Sequence, residues 1–444
     1  MNSTPTEAVG GPGRTGLRDA HAHLPQHGRA AEMVQLSSCT SKADCLALLA
    51  ARADEERTNS PSRTAGTDQE PWILGGGLRV AAWAEPTYPT AQEIDEAVGG
   101  RCCCAWSFDY HAIAASTSAL HAAGISHAST DPEGGVIVRD VSTGEPTGLV
   151  LEAAAHLVWN AVPEPTMADR RRQVRAGVRD MQRLGFVEMH DLHAPRWLGP
   201  MLAEMDDADE LGMHLELFAP LREIEAAYEE ARAWQRDRVR LAGAKIFVDG
   251  TLNSKTAWML SEYADPLPGH PRGMAMMTAG ELDDAVRRVD AMGLPLAAHA
   301  IGDGAVRAVL DAIERVRPRT PGFRIEHAEV IDETDVPRFA DLGVICSPQP
   351  CHLLADIEAL TRLLPHRLDR VLPLRDLIDA GAEPGSLLLF GSDTPIVRPD
   401  PQDSVQAAVS RRRADMPDAH RIAPAQAISA DEAWAAFAAR PAGI

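Results

Sequence analysis

Several absences narrow the possibilities before any motif is read. Positive charge is in deficit: 43 Lys and Arg against 64 Asp and Glu leave a net charge of −21 at pH 7. A surface that acidic repels phosphate backbones, so nucleic acid is not an expected partner. No stretch approaches the ~18 to 20 continuous apolar residues of a membrane span, so no membrane partner is expected either. The opening MNSTPTEAVGGPGRTG has no apolar core of a signal peptide. The seven cysteines are an odd number and three of them, Cys102, Cys103 and Cys104, are consecutive. That is neither a disulfide framework nor a zinc spacing; it fits a reducing cytoplasm, with the triplet as small apolar residues of a buried strand. No G-x-G-x-x-G follows a strand, which argues against an open dinucleotide-binding sheet. What is present is ordinary for a globular chain, 444 residues with 45% hydrophobic and 24% charged, enough for one large barrel with insertions. With aromatics at only 5%, the sixteen histidines stand out.

From residue 167 onward, short apolar runs alternate with amphipathic helical stretches. The helix that opens the series places Val174, Val178, Met181 and Leu184 on one face. Strand-like runs follow at 186–191, 214–218, 244–250, 295–300, 324–328, 344–348 and 387–393. Helical segments fall between them, including 221–238, 279–292, 303–317, 332–342 and 366–381. With 17–23 added, eight strand candidates alternate with helices, and this predicts an α/β fold, a closed (β/α)8 TIM-like barrel. Residues 1–15 read as a disordered tail, 16–405 as the barrel and 406–444 as a C-terminal helical segment. Residues 25–165 break the rhythm, with a polar, low-order patch from Ala53 to Gln69 followed by short β-like pieces and turns. This segment reads as an insertion after the first strand, on the barrel's C-terminal face and covering the active-site mouth.

Histidines cluster at the predicted strand ends. His21 and His23 lie in D-A-H-A-H, and residues two apart in a strand project to one face, so both imidazoles reach one ion. Lys245 sits in the fourth strand, while His299, His327 and Asp393 end the fifth, sixth and eighth. In a barrel these positions converge on one mouth. Imidazole and carboxylate donors suit zinc or another first-row divalent ion, whose work is to polarise a carbonyl and lower the pKa of bound water toward ~7. Asp393 is placed to act as the general base, or else is a turn residue of S-D-T-P. Lys245 is the odd member, because an ammonium repels a cation unless it is neutralised or converted to a carbamate.

The ordered series D-A-H-A-H-L, A-K-I-F-V-D-G-T-L-N-S-K-T-A, A-A-H-A-I-G-D-G-A-V, R-I-E-H-A and F-G-S-D-T-P resembles the amidohydrolase superfamily. Within it the series looks like the YtcJ-like branch, amidohydrolase family 3, which includes N-substituted formamide deformylases. The likeness runs from about residue 16 to about 405 and takes in W-I-L-G-G-G and F-D-Y-H-A-I-A-A-S-T-S-A-L-H-A-A-G-I of the insertion. It implies a metal-dependent hydrolase holding one or two ions through His21, His23, Lys245 (carboxylated in many relatives), His299, His327 and Asp393. It also implies that His111, His190, Asp191, Asp249, Gln349 and His352 line a substrate pocket.

The chain departs from the branch in three respects. Members usually carry β-rich segments before H-x-H and after the barrel, forming a small sandwich; none is visible here, and apolar surface left uncovered would favour a homodimer. Ser116 stands where the branch has asparagine, and Lys255, a pocket residue, where it has arginine, which loses a planar two-pronged donor. The resulting expectation is a cytoplasmic hydrolase of the C–N bond of an amide, formamide or cyclic amide. Asp393 would shuttle the proton and His299 or His327 would help hold the tetrahedral oxyanion. A non-hydrolytic metal-binding paralogue and a metal-dependent isomerase or decarboxylase are the other readings that this ligand set permits.

Overall fold

In the computed structural model the alternation of apolar runs and helices builds a parallel barrel sheet. The structure describes residues 16–59, 71–80, 83–108, 110–132, 134–267 and 269–439; the expected tail at 1–15 lies outside them. The chain divides into two units, one of residues through His27 together with Val174 onward, the other Gly28–Gln173. No described helix is long and apolar enough to cross a membrane.

The first unit holds seven strands: β1 (Leu17–Ala22), β2 (Phe186–Leu192), β3 (His214–Pro220), β4 (Val239–Phe247), β5 (Leu296–Ala300), β6 (Arg324–His327) and β7 (Ile345–Ser347). They lie side by side in chain order, and every pairing is parallel. β1, β5 and β6 are buried along their whole length, as strands covered on both faces are; β5 is a nearly unbroken apolar run, whereas β1 and β6 bury Arg18, Asp19, His21, Arg324, Glu326 and His327. Helices occupy the connections. Val174, Val178 and Met181 of Met167–Arg183 are buried in the barrel's core with Leu184 packed against it, the face that helical periodicity predicts. Ala279–Asp290 begins at a Thr278–Glu281 capping box and buries Leu282, Ala285, Val286 and Val289. The helix expected over 366–381 is shorter, Leu374–Asp379, because Pro373 interrupts it and cannot sit inside a helix.

The eighth expected strand, 387–393, is extended but irregular rather than a regular ladder. It nonetheless closes the barrel. On one side Cys346 N donates to Leu387 O at 2.8 Å and Leu389 N to Cys346 O at 3.0 Å; on the other Ala20 N donates to Phe390 O at 3.1 Å and Asp393 N to His21 O at 2.6 Å. Asp393 has φ 59, which breaks strand geometry. At the opposite end the C-terminal helix Ala430–Ala436 brings Phe437 onto Phe186 and Phe390, with ring centroids 6.1 and 5.6 Å away, and Arg18 N donates to Phe437 O at 2.7 Å.

The second unit contains a six-stranded sheet ordered 34–35, 73–78, 103–107, 112–115, 146–152 and 135–139. Side-chain alternation splits its core in two: Cys104, Trp106, Ile113 and Ala115 face one cluster, Cys103, Ala105 and Ala114 the other. The polar patch expected from Ala53 is corrected in part. Residues through Asn59 belong to the helix Lys42–Asn59, anchored by Cys45, Leu49 and Ala53 at four-residue spacing; the rest of the patch, 60–69, lies outside the described residues.

Gly391 is required where the closing segment passes β1, since a Cβ there would lie 2.5 Å from His21 N and 2.6 Å from His21 Cβ. Gly391→Ala is therefore expected to cost about 1–3 kcal/mol through overpacking, read as a lower urea midpoint; an unchanged midpoint contradicts the tight closure.

Candidate metal centre

The strand ends converge as donor atoms. His21 is buried at the end of β1, and its Nδ1 meets Glu326 Oε2 at 2.6 Å. A carboxylate accepts, so Nδ1 carries the proton and the His21 Nε2 lone pair points outward. That Nε2 faces Asp393 Oδ1 at 3.3 Å, and His23 Nε2 lies 3.0 Å from the same oxygen. The His327 ring sits 4.7 Å from that of His21 and 4.4 Å from that of His299. Donor atoms of His21, His327 and Asp393 lie within 4.8 Å of one another. His299 Nε2 donates to Gly250 O at 3.1 Å, which leaves Nδ1 as its lone-pair nitrogen and removes Nε2 as an oxyanion donor.

Electrostatics make the set a cation site. Burial and then Lys245 lower the His21 and His299 imidazoles to about 4 and about 3, while burial and the neighbouring imidazoles take His327 well below its usual value. Against its burial, His21, His23 and His327 hold the Asp393 carboxyl well below the carboxylate range. Neutral imidazoles and an ionised carboxylate crowd together, and His327 Nδ1 has no hydrogen-bond partner among the described residues. These residues fit a divalent ion. His327 and Asp393 have φ 69 and 59, the left-handed backbone that clusters at functional positions.

Lys245 lies within this group, 2% exposed. Its Nζ has no hydrogen-bond partner among the described residues and stands 5.3 Å from the Phe247 ring centroid. Burial lowers its pKa to about 8 despite Glu326 and Asp393.

A family model for amidohydrolases, Amidohydro_3, matches residues 15–444. The chain belongs to the amidohydrolase family. It is 29% identical over 420 residues to YtcJ of Bacillus subtilis (strain 168), covering 89% of this chain and 73% of that protein. It is 26% identical over 445 residues to the N-substituted formamide deformylase of Arthrobacter pascens, covering 96% and 78%. An uncharacterized metal-dependent hydrolase from Pyrococcus horikoshii OT3 shares the fold, with TM-score 0.73 at 22% identity over 94% of this chain and 78% of that one. The expected barrel and family are borne out, and the chain is a hydrolase of that family.

The other residues that the family likeness implicates fall in several places in this amidohydrolase. His352 reaches the centre: its Nε2 is 3.8 Å from Asp393 Oδ2 and its Nδ1 3.6 Å from Glu329 Oε1. Burial opposes its charged form, but Glu329 and Asp393 outweigh it and raise the imidazole to about 9. Gln349 Nε2 donates to Ser347 O at 2.9 Å, and its buried Oε1 has no partner among the described residues. Lys255 Nζ pairs with Asp265 at 2.6 Å. Asp191 accepts from Leu24 N at 2.7 Å, holding the turn after β1. His190 is enclosed in the barrel interior between Glu188 and Arg324. In the second unit His111 Nδ1 bonds the Glu152 carboxylate at 2.9 Å, and Ser116 caps the helix Thr117–Ala122.

Sequence reasoning missed Glu326, Arg324 and Glu329. For Arg324 and Glu326 the signal was present, because charged residues alternating inside a four-residue buried strand have nowhere to point but the barrel interior or its mouth; Glu329, past the end of that strand, carried no such signal.

Asp249 is 1% exposed and accepts from Trp258 N (2.8 Å), Gly302 N (2.9 Å) and Ile301 N (3.0 Å), tying together two loops at the mouth. Asp249→Asn replaces one acceptor oxygen with a donor, so it should cost about 1.5–3 kcal/mol of stability. Denaturant unfolding checks this; a KM change at unchanged stability would instead make it a substrate contact.

Proposed function

We propose that this chain is a metal-dependent amidohydrolase cleaving the C–N bond of an amide, formamide or cyclic amide. The observation that carries the reading is the donor set of His21, His327 and Asp393 at the end of a TIM-like barrel. Its relative named as an N-substituted formamide deformylase supports a small-molecule amide as substrate.

His21, His23, His299, His327 and Asp393 would hold zinc or another first-row divalent ion. When bound, such an ion polarises a carbonyl and makes a neighbouring water acidic enough to attack near neutral pH. Lys245 joins the set as an anionic donor if its amine adds to carbon dioxide, forming a carbamate and releasing a proton. As an ammonium it would repel the ion. Asp393 Oδ1 faces His21 and His23, so Oδ2 is the atom left to take a proton from the attacking water and return it to the departing nitrogen. Phe247, 44% exposed with its ring 5.2 Å from that of His299, offers an apolar face to a substituent of the amide.

The test is hydrolysis of a panel of N-formyl and N-acyl amines by zinc-loaded protein, followed by amine release. Asp393→Asn should retain zinc yet lose about 10²–10⁴-fold in turnover. Full activity in that variant would remove Asp393 as the base, and zinc-loaded wild type inert on the whole panel would remove the C–N hydrolase reading.

A further inference from the structure

Beneath the donor cluster lies a buried polar chain whose proton directions are settled by chemistry alone. A guanidinium only donates. His190 Nδ1, 2.8 Å from Arg324 Nη1, must therefore be a lone-pair nitrogen, so the His190 proton sits on Nε2. That Nε2 faces Glu188 Oε1 at 3.0 Å and Glu216 Oε2 at 3.4 Å, both acceptors. On its other side Arg324 engages Glu326, through Nε with Oε1 and through Nη2 with Oε2 at 3.2 Å. The same Nη2 donates to Ala20 O and Ser347 Oγ, both at 2.7 Å. Glu326 Oε2 in turn accepts the proton of His21 Nδ1 at 2.6 Å.

Arg324 thus grips both the carboxylate that receives the His21 proton and the carbonyl of the residue preceding His21. Rotating the His21 ring or moving its proton to Nε2 would leave Glu326 facing a lone pair. The five elements involved are β1, β2, β3, β6 and β7, and the three central groups, His190, Arg324 and Glu326, are at most 2% exposed. Burying so many charges is costly, and an apolar interior would hold a barrel as well. The position of these charges directly under one imidazole is what they achieve.

We propose that His190, Arg324 and Glu326 are positioning residues, a relay that fixes the tautomer and aim of His21 and so sets the affinity of the centre for its ion. The proposal rests on the reading of His21 as a metal ligand, and it gives His190 a role one layer below the substrate.

The experiment measures zinc affinity of metal-free, folded protein by competition with a chromophoric chelator, alongside urea unfolding. Glu326→Gln keeps size but loses the anionic acceptor and should weaken zinc about 10–100-fold. His190→Leu removes the acceptor for Arg324 and should weaken it about tenfold, whereas His190→Gln supplies both an acceptor and a donor and should stay within about threefold of wild type. A role in folding alone would move the urea midpoint and leave the affinity of the folded protein untouched. Wild-type zinc affinity in folded Glu326→Gln or in His190→Leu overturns the relay, as does His190→Gln binding no better than His190→Leu. If Glu326→Gln does not fold, the two His190 variants decide. Wild-type protein that takes up no zinc overturns the metal reading and the relay with it, an outcome distinct from uptake that ignores Glu326.

Discussion

The structure depends on one junction, where the segment at the end of the barrel sequence meets β1 at its beginning. Asp19 is fully buried, and its carboxylate accepts from Ser392 Oγ at 2.6 Å, Ser392 N at 3.0 Å and His21 N at 3.1 Å. Burial raises its pKa to about 6, which those three bonds oppose. Asp393 N completes the junction by donating to His21 O at 2.6 Å. Residues more than 370 positions apart are thereby held at hydrogen-bond distance, and the barrel closes around its own interior. The same contacts set Asp393 beside His21 and His23, so closure of the fold and assembly of the donor cluster are one event.

Strain and buried charge collect around this junction. Two donor residues, His327 and Asp393, hold left-handed backbone, which costs on the order of 1–3 kcal/mol each. The interior below them is polar where an apolar filling would pack more cheaply. Arg324 is enclosed there between Glu326 and His190, all three buried. Natural chains depart from local rules at functional sites and compensate elsewhere, here through the continuous apolar core between sheet and helices.

Much of this was legible in the sequence. Seven of the eight expected strands form in order, because runs such as LAAHA and RIEH alternate with helices whose apolar faces recur every three to four residues. The converging histidines were readable from the same logic, since strand ends share one mouth. The irregular course of 387–393 was not, because it follows from Gly391 passing His21 and from the backbone turn at Asp393, both tertiary constraints. Nor was the helix Lys42–Asn59, whose Arg- and Glu-rich second half masks the Cys45, Leu49 and Ala53 stripe. Asp249 and Asp191 illustrate a further limit: nothing in the sequence shows that these two carboxylates accept from backbone N–H groups of neighbouring loops.

The chemistry of this protein turns on whether the cluster of His21, His23, His299, His327 and Asp393, with Lys245 beside it, is a divalent-metal centre. Elemental analysis of the purified full-length protein tests it most directly. The expected result is about one equivalent of a first-row divalent ion for a mononuclear site, or about two if a carboxylated Lys245 bridges a pair. Protein that is folded and holds no such ion, even after incubation with zinc and bicarbonate, would contradict it.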